Sequence, residues 1–218
     1  MNDNIPIYFL SGMVADERLF RFQLEEFPQL KIIDWIEPEK NESLFSYAKR
    51  ISGKIEKKDK PCFIGGASFG AIVALEITNH VDCLGCFVIS SVSSPTQYPL
   101  RYKVFKLLTF LGIKQCIVLA KFTLHLPSLL LKGKYRKKLN GFISSKFIQW
   151  ATFTLLRWNG KYHKTTKIFH IHGTNDRSFP LKLTTPDMSV KGGHIITLTN
   201  TNEVNNFIAN KIKFSRIV

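Results

Sequence analysis

A serine between two glycines, at the junction of an apolar strand and an apolar helix, constrains this chain more than any other feature. The pentapeptide Gly66-Ala67-Ser68-Phe69-Gly70 follows the short apolar run 62–64 and precedes the apolar segment 71–77, which is typical of a buried helix. A serine in a sharp strand-to-helix turn adopts a strained conformation, and flanking glycines let neighbouring backbone pass close. The pattern predicts an exposed Ser68 hydroxyl and a Phe69 amide free to bind a developing oxyanion.

Apolar strand-like runs alternate with helical periods along the chain. This alternation predicts an α/β fold with a mostly parallel, doubly wound sheet covered by helices on both faces. At 218 residues and 44% hydrophobic content, one domain with a large core is expected rather than two. Strands are expected over residues 7–10, 31–35, 62–64, 86–90, 167–172 and 187–190. Helices are expected over residues 16–27, 43–55 and 71–77 and from Asn200 or Thr201 onward.

The stretch 95–164, between the fourth and fifth strands, is too long for an ordinary connection. We predict that it forms a helical cap inserted into a core made of residues 1–94 and 165–218. No run reaches eighteen apolar residues without charge, which argues against a membrane span. Five apolar side chains of the insertion could line an acyl site, although ordinary packing explains them equally well: Phe105, Leu108, Phe147, Trp150 and Phe153.

The net charge of +15 belongs entirely to the middle of the chain. Between Cys83 and Asn175 there is no Asp or Glu, whereas fifteen of the 31 Lys and Arg residues lie there, so the remaining chain is neutral. A one-sided positive potential would attract an acidic carrier protein, an anionic lipid surface, or a substrate bearing carboxylate, phosphate or coenzyme A. Compositional bias with solvated lysines explains the charge equally well. The basic cluster 132–138 belongs to no recognised nucleic-acid module, which disfavours nucleic acid as a partner.

Cysteines and the first residues bear on cofactors and compartment. Cys83-Leu84-Gly85-Cys86 has a spacing that can bind metal or cycle redox state, but no second Cys or His pair lies at zinc-site spacing. Buried thiols that pack as small hydrophobes are therefore favoured, and no metal or organic cofactor is expected. Residues 1–13 lack the basic n-region and long apolar run of a secretory signal, which predicts a cytoplasmic protein.

Two later motifs, one with an aspartate and one with a histidine, follow the serine turn along the chain. Ile171-His172-Gly173-Thr174-Asn175-Asp176 ends a predicted strand, and Gly192-Gly193-His194 comes after it. With the serine turn and the early strand-loop-helix, these motifs resemble the α/β-hydrolase superfamily over nearly the whole chain, since its serine hydrolases run Ser, then Asp or Glu, then His. The resemblance implies Ser68 as nucleophile, Asp176 as acid and His194 as base.

Local chemistry supports the same roles. A serine hydroxyl needs a base at neutral pH, and a histidine held by a carboxylate is the usual solution. No carboxylate lies between Asp82 and Asp176, so an acid position after the fourth strand, where Ser90 and Ser91 stand, cannot serve. Asp187 is the reserve acid. For His170 and His172 a structural role is favoured, with His172 bonding the loop backbone.

The segment Ser11-Gly12-Met13-Val14-Ala15 stands where family members often carry His-Gly-x-x-Gly. By position, the resemblance implies that the Met13 amide joins that of Phe69 in an oxyanion hole. Ser11 replaces the histidine and Ala15 replaces the second glycine, which accepts positive φ more readily. The resemblance also implies a chain that begins at the family's third strand and a sheet in the order second, first, third, fourth, fifth, sixth.

The implied activity is that of a serine hydrolase cleaving a carboxylic ester or thioester through an acyl-enzyme on Ser68. One alternative is a carrier-protein or coenzyme A thioesterase, or an acyl transferase, whose basic cap docks the acidic partner. Another is a non-catalytic ligand-binding or membrane-surface protein on the same scaffold, and the triad could also serve a lyase, isomerase or cyclase reaction. Substrate identity and oligomeric state stay open.

Overall fold

Six parallel strands form one sheet in the order β2-β1-β3-β4-β5-β6, which confirms the order implied by the resemblance. The computed structural model describes residues 5–56, 61–110 and 144–215, apart from the side chains of residues 108–110. Expectations about the basic residues from Lys114 to Lys138 therefore lie outside the described residues. The strands are β1 (Ile7–Leu10), β2 (Leu30–Ile32), β3 (Phe63–Ala67), β4 (Gly85–Ile89), β5 (Ile168–Gly173) and β6 (Met188–Val190).

Alternate side chains of each strand enter two separate cores. In β1, Ile7 and Phe9 belong to one hydrophobic cluster, whereas Tyr8 and Leu10 belong to the other. This is the period of two that an extended chain imposes. Both faces of a parallel sheet are covered by helices, so the central strands β3 and β4 are buried along their whole length.

Seven α-helices lie in the described ranges and cover both faces of the sheet. The third of them, which follows Ser68, has all nine residues buried because it lies between the sheet and other helices. It forms a rigid support for the serine turn. The helices are α1 (Arg21–Glu26), α2 (Leu44–Ile51), α3 (Phe69–Ile77), α4 (Leu100–Phe110), α5 (Ser145–Arg157), α6 (Ile196–Thr199) and α7 (Thr201–Ser215).

Some predicted boundaries shift for identifiable reasons. The helix expected over 16–27 begins as a 3₁₀ turn, Glu17–Phe20, capped by Asp16, and α1 ends shortly before Pro28. The strand expected over 31–35 ends at Ile32, and Trp35 beyond it packs on the Phe69 ring at 5.8 Å between centroids. Ser43 caps α2 as expected, since its Oγ accepts a hydrogen bond from the Ser46 amide at 3.0 Å.

Helices α4 and α5 belong to the segment 95–164, for which the sequence predicts a cap. Helix α5 packs on α3 and α4, and Trp150 on α5 donates its indole N–H to the Glu42 carbonyl at 2.8 Å. The division into core and cap stays a prediction. Among the described helices, none has the length and hydropathy needed to cross a membrane.

The thiols of the C-x-x-C segment pack in or against the core. Cys86 on β4 is fully buried, and Cys83 is partly buried against the same cluster. Cys62, which directly precedes β3, is almost fully buried. Burial raises the pKa of the Cys62 thiol to about 11 and that of Cys83 to about 12. Thiols that stay protonated are poor nucleophiles and poor metal ligands.

A buried carboxyl on α3 makes the stability of the fold depend on pH. Glu76 is 3% exposed, and its Oε1 accepts a hydrogen bond from the Trp158 indole N–H at 2.6 Å. Burial raises the pKa of Glu76 from 4.5 to about 7. Between these values the folded chain holds this proton more tightly than the unfolded chain, so the free energy of unfolding falls as pH rises through the window.

Glu76→Gln should therefore stabilise the protein at high pH and not at low pH. Glutamine keeps an acceptor for Trp158 and cannot ionise, so we expect the free energy of unfolding to rise by on the order of 2 kcal/mol at pH 8 and to change little at pH 5. Urea denaturation at the two pH values measures this, with the exposed Glu25→Gln as control. An equal gain at both pH values would contradict the assignment.

Candidate active site

Ser68 occupies a strained turn between β3 and α3. Its φ of 55° and ψ of −122° lie where side chains rarely go. The end of β4 holds it there, since the Ser68 amide donates to the Ile89 carbonyl at 3.0 Å and the Ser91 hydroxyl donates to the Ser68 carbonyl at 2.7 Å. The strain is offset by these bonds, and the Ser68 side chain makes no capping hydrogen bond to the helix that it precedes.

A continuous chain of hydrogen bonds joins three side chains that are far apart in sequence. Ser68 Oγ lies 2.9 Å from His194 Nε2, and His194 Nδ1 lies 2.7 Å from Asp176 Oδ2. An ionised carboxylate only accepts hydrogen bonds, so Nδ1 carries the proton and Nε2 accepts from the serine hydroxyl. The structure thus brings together the three side chains that the sequence nominated.

Asp176 is held ionised inside the protein. Its side chain is buried, and its Oδ1 accepts hydrogen bonds from the amides of Ser178 at 2.7 Å and Phe179 at 3.1 Å. Burial opposes ionisation, but the attraction of His194 and these hydrogen bonds outweigh it and lower the pKa of the carboxyl. The carboxylate can therefore orient the imidazole and stabilise its protonated form.

Two buried histidines of β5 lie behind this carboxylate. His172 Nε2 donates to the Phe179 carbonyl at 2.7 Å and lies 3.4 Å from Asp176 Oδ2, which confirms the predicted bond to the loop backbone. His170 Nε2 lies 3.1 Å from His172 Nδ1. Burial and the neighbouring ring lower the pKa of His170 to about 4, and burial also lowers that of His172, so both rings are neutral at pH 7.

The reserve acid has a different role. Asp187 Oδ2 accepts a hydrogen bond from the His170 amide at 2.9 Å and lies 3.4 Å from Lys211 Nζ. Its carboxylate thus ties the chain before β6 to β5 and α7, and His194 has its hydrogen bond to Asp176 instead.

Both predicted oxyanion donors lie at the serine turn. Phe69 begins α3, and the loop that carries Met13 passes so close that a Cβ on Gly12 would lie 3.8 Å from the Ser68 Cβ. Among the hydrogen bonds between described residues, neither of these two amides donates to a protein acceptor. Ser11, at the start of this loop, closes it by donating its hydroxyl to the Ala15 carbonyl at 2.7 Å.

Solved structures with this architecture match nearly the whole chain. A thermophilic esterase from Thermogutta terrifontis matches with a TM-score of 0.65 and 12% identity over 97% of this chain and 90% of its own. MenH from S. aureus matches with a TM-score of 0.61 and 17% identity, covering 99% and 96%. Epoxide hydrolases of the α/β-hydrolase superfamily, from metagenomes of hot environments, match with a TM-score of 0.65 and 12% identity, covering 96% and 91%.

The chain has the α/β-hydrolase fold. The similarity in structure establishes the fold. At identities this low it does not establish the reaction, which depends on the residues of the site. No family model matches the sequence, and no curated protein does so either.

Aromatic side chains of α5 pack near the start of α3, the helix that follows Ser68. The Phe69 ring lies 6.1 Å from that of Trp150, which in turn lies 5.7 Å from Phe147. Of the other side chains proposed for an acyl site, Phe105 is buried, Phe153 is half-buried beneath Arg157, and the side chain of Leu108 lies outside the described part. These aromatic side chains thus pack on the residue that follows Ser68.

Sequence reasoning misses three neighbours of the site. Trp35 packs on both Phe69 and Phe147, Ser91 holds the Ser68 carbonyl, and Arg101 donates to the backbone after Asp176. No local motif marks them, because each acts on a residue at least 23 positions away in the chain. One of the three, Ser91, could have been suspected from the polar pair 90–91 at the end of a buried strand.

Gly70→Ala should remove activity together with stability. A Cβ on Gly70 would overlap the carbonyl oxygens of Leu10 and Ser11, so the end of β1 and the loop 11–15 that follows it must move. We expect a loss of about 1–3 kcal/mol of unfolding free energy, as for other overpacked sites, and a lower kcat in the remaining folded protein. Thermal denaturation and ester hydrolysis measure the two effects.

Gly193→Ala is the matched control, because a Cβ there meets no atom within 4 Å although the residue adjoins His194. A Gly70→Ala protein as stable and active as Gly193→Ala would contradict the steric argument.

Proposed function

We propose that this chain is a serine hydrolase that cleaves a carboxylic ester or thioester through an acyl-enzyme on Ser68. The observation that carries the proposal is the hydrogen-bonded series Ser68, His194, Asp176, with distances of 2.9 and 2.7 Å. A hydroxyl bonded to a basic nitrogen, whose other nitrogen is held by a buried carboxylate, is the arrangement that activates serine. Similarity in fold to proteins described as an esterase and as epoxide hydrolases supports a hydrolase.

In the first half-reaction, Ser68 Oγ attacks the carbonyl carbon while His194 Nε2 takes the hydroxyl proton. Asp176 stabilises the imidazolium, and the amides of Phe69 and Met13 hold the negative oxygen of the tetrahedral intermediate. The intermediate collapses as the bond to the alcohol or thiol breaks, and His194 returns the proton to that leaving group.

In the second half-reaction, His194 takes a proton from water as the water oxygen attacks the acyl carbon. The bond to Ser68 Oγ then breaks, the carboxylic acid leaves, and the proton returns to Ser68. The chemistry is complete with groups supplied by the chain and by water.

Intact-mass spectrometry tests this proposal. The protein is exposed to a panel of esters and thioesters of increasing acyl length, and separately to a fluorophosphonate probe. We expect a covalent adduct whose mass identifies the acyl group, and stoichiometric labelling by the probe. Absence of every adduct, together with cosedimentation with anionic vesicles, would favour a non-catalytic membrane-surface protein.

The charge distribution favours a second candidate, a thioesterase or acyl transferase acting on coenzyme A or an acidic carrier protein. In the described part of the segment 83–175, the lysines Lys103, Lys146, Lys161, Lys164 and Lys167 are exposed, and the segment contains no acid. Attraction to an anionic acyl donor is screened by salt. Added NaCl should then raise KM for a coenzyme A thioester and leave KM for a neutral ester unchanged. We also propose a cytoplasmic location, which is compatible with an acyl donor of this kind.

A further inference from the structure

Residues 176–179, here called the acid loop, are held by hydrogen bonds from two opposite directions. Arg101 Nη2 donates to the carbonyls of Arg177 at 2.6 Å and Ser178 at 2.8 Å. The next carbonyl, of Phe179, accepts from His172 Nε2 at 2.7 Å. Three consecutive carbonyls are thus occupied, while two amides of the same loop bind the Asp176 carboxylate.

The two anchors come from different parts of the fold. His172 belongs to β5, the strand that leads directly into the acid loop. Arg101 is the second residue of α4 and lies 76 positions before the first carbonyl that it binds. Helix α4 belongs to the segment predicted to form the cap, so Arg101 joins this segment to the carboxylate side of the triad.

The next residue of α4 strengthens the same contact. The buried Tyr102 ring packs on the Phe179 ring at 5.4 Å between centroids, and the Arg101 guanidinium lies 5.4 Å from the Tyr102 ring centre. The Phe179 ring in turn lies 6.0 Å from that of His194. A displacement of α4 would therefore move the acid loop and the surroundings of the imidazole together.

We propose that Arg101 is a positioning residue, which couples the placement of α4 to the alignment of Asp176 with His194. The inference rests on the proposed function. With the guanidinium in place, the acid loop keeps two amides on Asp176 Oδ1 and leaves Oδ2 for His194. When α4 moves away, Arg101 no longer binds the two carbonyls and the acid loop holds Asp176 less firmly. The activation of Ser68 then falls.

A through-space effect of the positive charge predicts a different result. Loss of a nearby positive charge would favour protonation of the base and move the acid limb of the pH–rate profile to higher pH. A slackened carboxylate would stabilise the protonated base less well and move the same limb to lower pH. In the described structure, His194 contacts Asp176, and Asp176 lies beside His172 and interacts electrostatically with the buried Tyr102. Arg101 contacts the two residues that follow Asp176.

The test compares Arg101→Met with Lys213→Met, which removes the same charge from an exposed position on α7. The readout is the rate of Ser68 labelling by a fluorophosphonate probe across pH, resolved into a maximal rate and a half-saturating concentration. We expect Arg101→Met to lower the maximal rate roughly 10- to 100-fold, as small misplacements of catalytic groups do, and to move the acid limb to lower pH. Lys213→Met should match the wild type.

Two additions keep the result specific. Millimolar guanidinium should restore part of the labelling rate of Arg101→Met, because it can occupy the vacated position between the two carbonyls. Arg101→Lys keeps the charge and one donor group, so an intermediate rate is expected. Thermal denaturation of each variant shows whether it is folded, and Arg101→Lys decides the matter if Arg101→Met is not.

Distinct failures point to distinct errors. A wild-type labelling rate in Arg101→Met would overturn the coupling alone. If Arg101→Met is unfolded, a wild-type rate in a folded Arg101→Lys would do the same. An acid limb that moves to higher pH with an unchanged maximal rate would also overturn it. If the wild-type protein itself is not labelled at Ser68, the proposed function fails and the coupling fails with it.

Discussion

Ser68→Ala is expected to abolish labelling by a fluorophosphonate and to lower kcat for any ester substrate by about a million-fold. Alanine removes the only atom proposed to form the acyl-enzyme, and the remaining histidine and oxyanion donors have no nucleophile to act on. Ser68 already has a φ of 55°, so alanine meets the same backbone strain and the fold should keep its stability. Intact-mass spectrometry and initial rates measure the outcome.

Ser189→Ala, at an exposed position on the edge strand β6, is the control for this variant and should retain full labelling. Undiminished labelling of Ser68→Ala would refute the assignment of the nucleophile. Peptide mapping of the adduct would then locate the reactive residue.

Asp176→Asn is expected to lower kcat by about ten-thousand-fold while the protein stays folded. Asparagine has nearly the same shape, but its amide N–H₂ can donate to His194 Nδ1. That bond favours the tautomer in which Nε2 carries the proton, and such a nitrogen cannot accept the Ser68 proton. Steady-state rates, with circular dichroism to verify folding, measure the effect.

Asp187→Asn separates the acid of the triad from the reserve acid. Asp187 bonds the His170 amide and pairs with Lys211, so its replacement should affect stability more than kcat. Equal losses of kcat in the two variants, or a larger loss in Asp187→Asn, would contradict the proposed role of Asp176.

Much of the architecture follows from local pattern. Apolar runs such as 86–90 have the length and composition of a strand buried on both faces, and a period of two then distributes side chains between two cores. The strained serine turn is marked by an equally local motif, with glycine two positions before and two positions after Ser68. Those glycines leave room for the end of β1. These features depend on near neighbours in the chain, so sequence alone predicts them.

The sequence predicts the three members of the candidate site, but it does not predict the residues that hold them in place. Ser68, Asp176 and His194 could be nominated because each ends a strand or begins a loop on the same edge of a parallel sheet. The end of β2 illustrates the limit. Tryptophan is common in strands, so the sequence predicted that β2 extends to Trp35. Trp35 instead lies beyond the end of the strand, because its ring packs on those of Phe69 and Phe147.

The strand-end positions of the serine, the acid and the histidine were determined by the sequence itself, through hydrophobic period, glycine placement and motif order. The order of the strands followed from the family resemblance that these motifs carry. Only the tertiary structure decided which groups hold Asp176 in place. The bonds of Arg101 to the acid loop cross 76 and 77 positions of the chain, and the ring of Tyr102 meets that of Phe179. Such contacts arise when separate elements pack together, and neither a local period nor a propensity encodes the partner that a distant guanidinium will find.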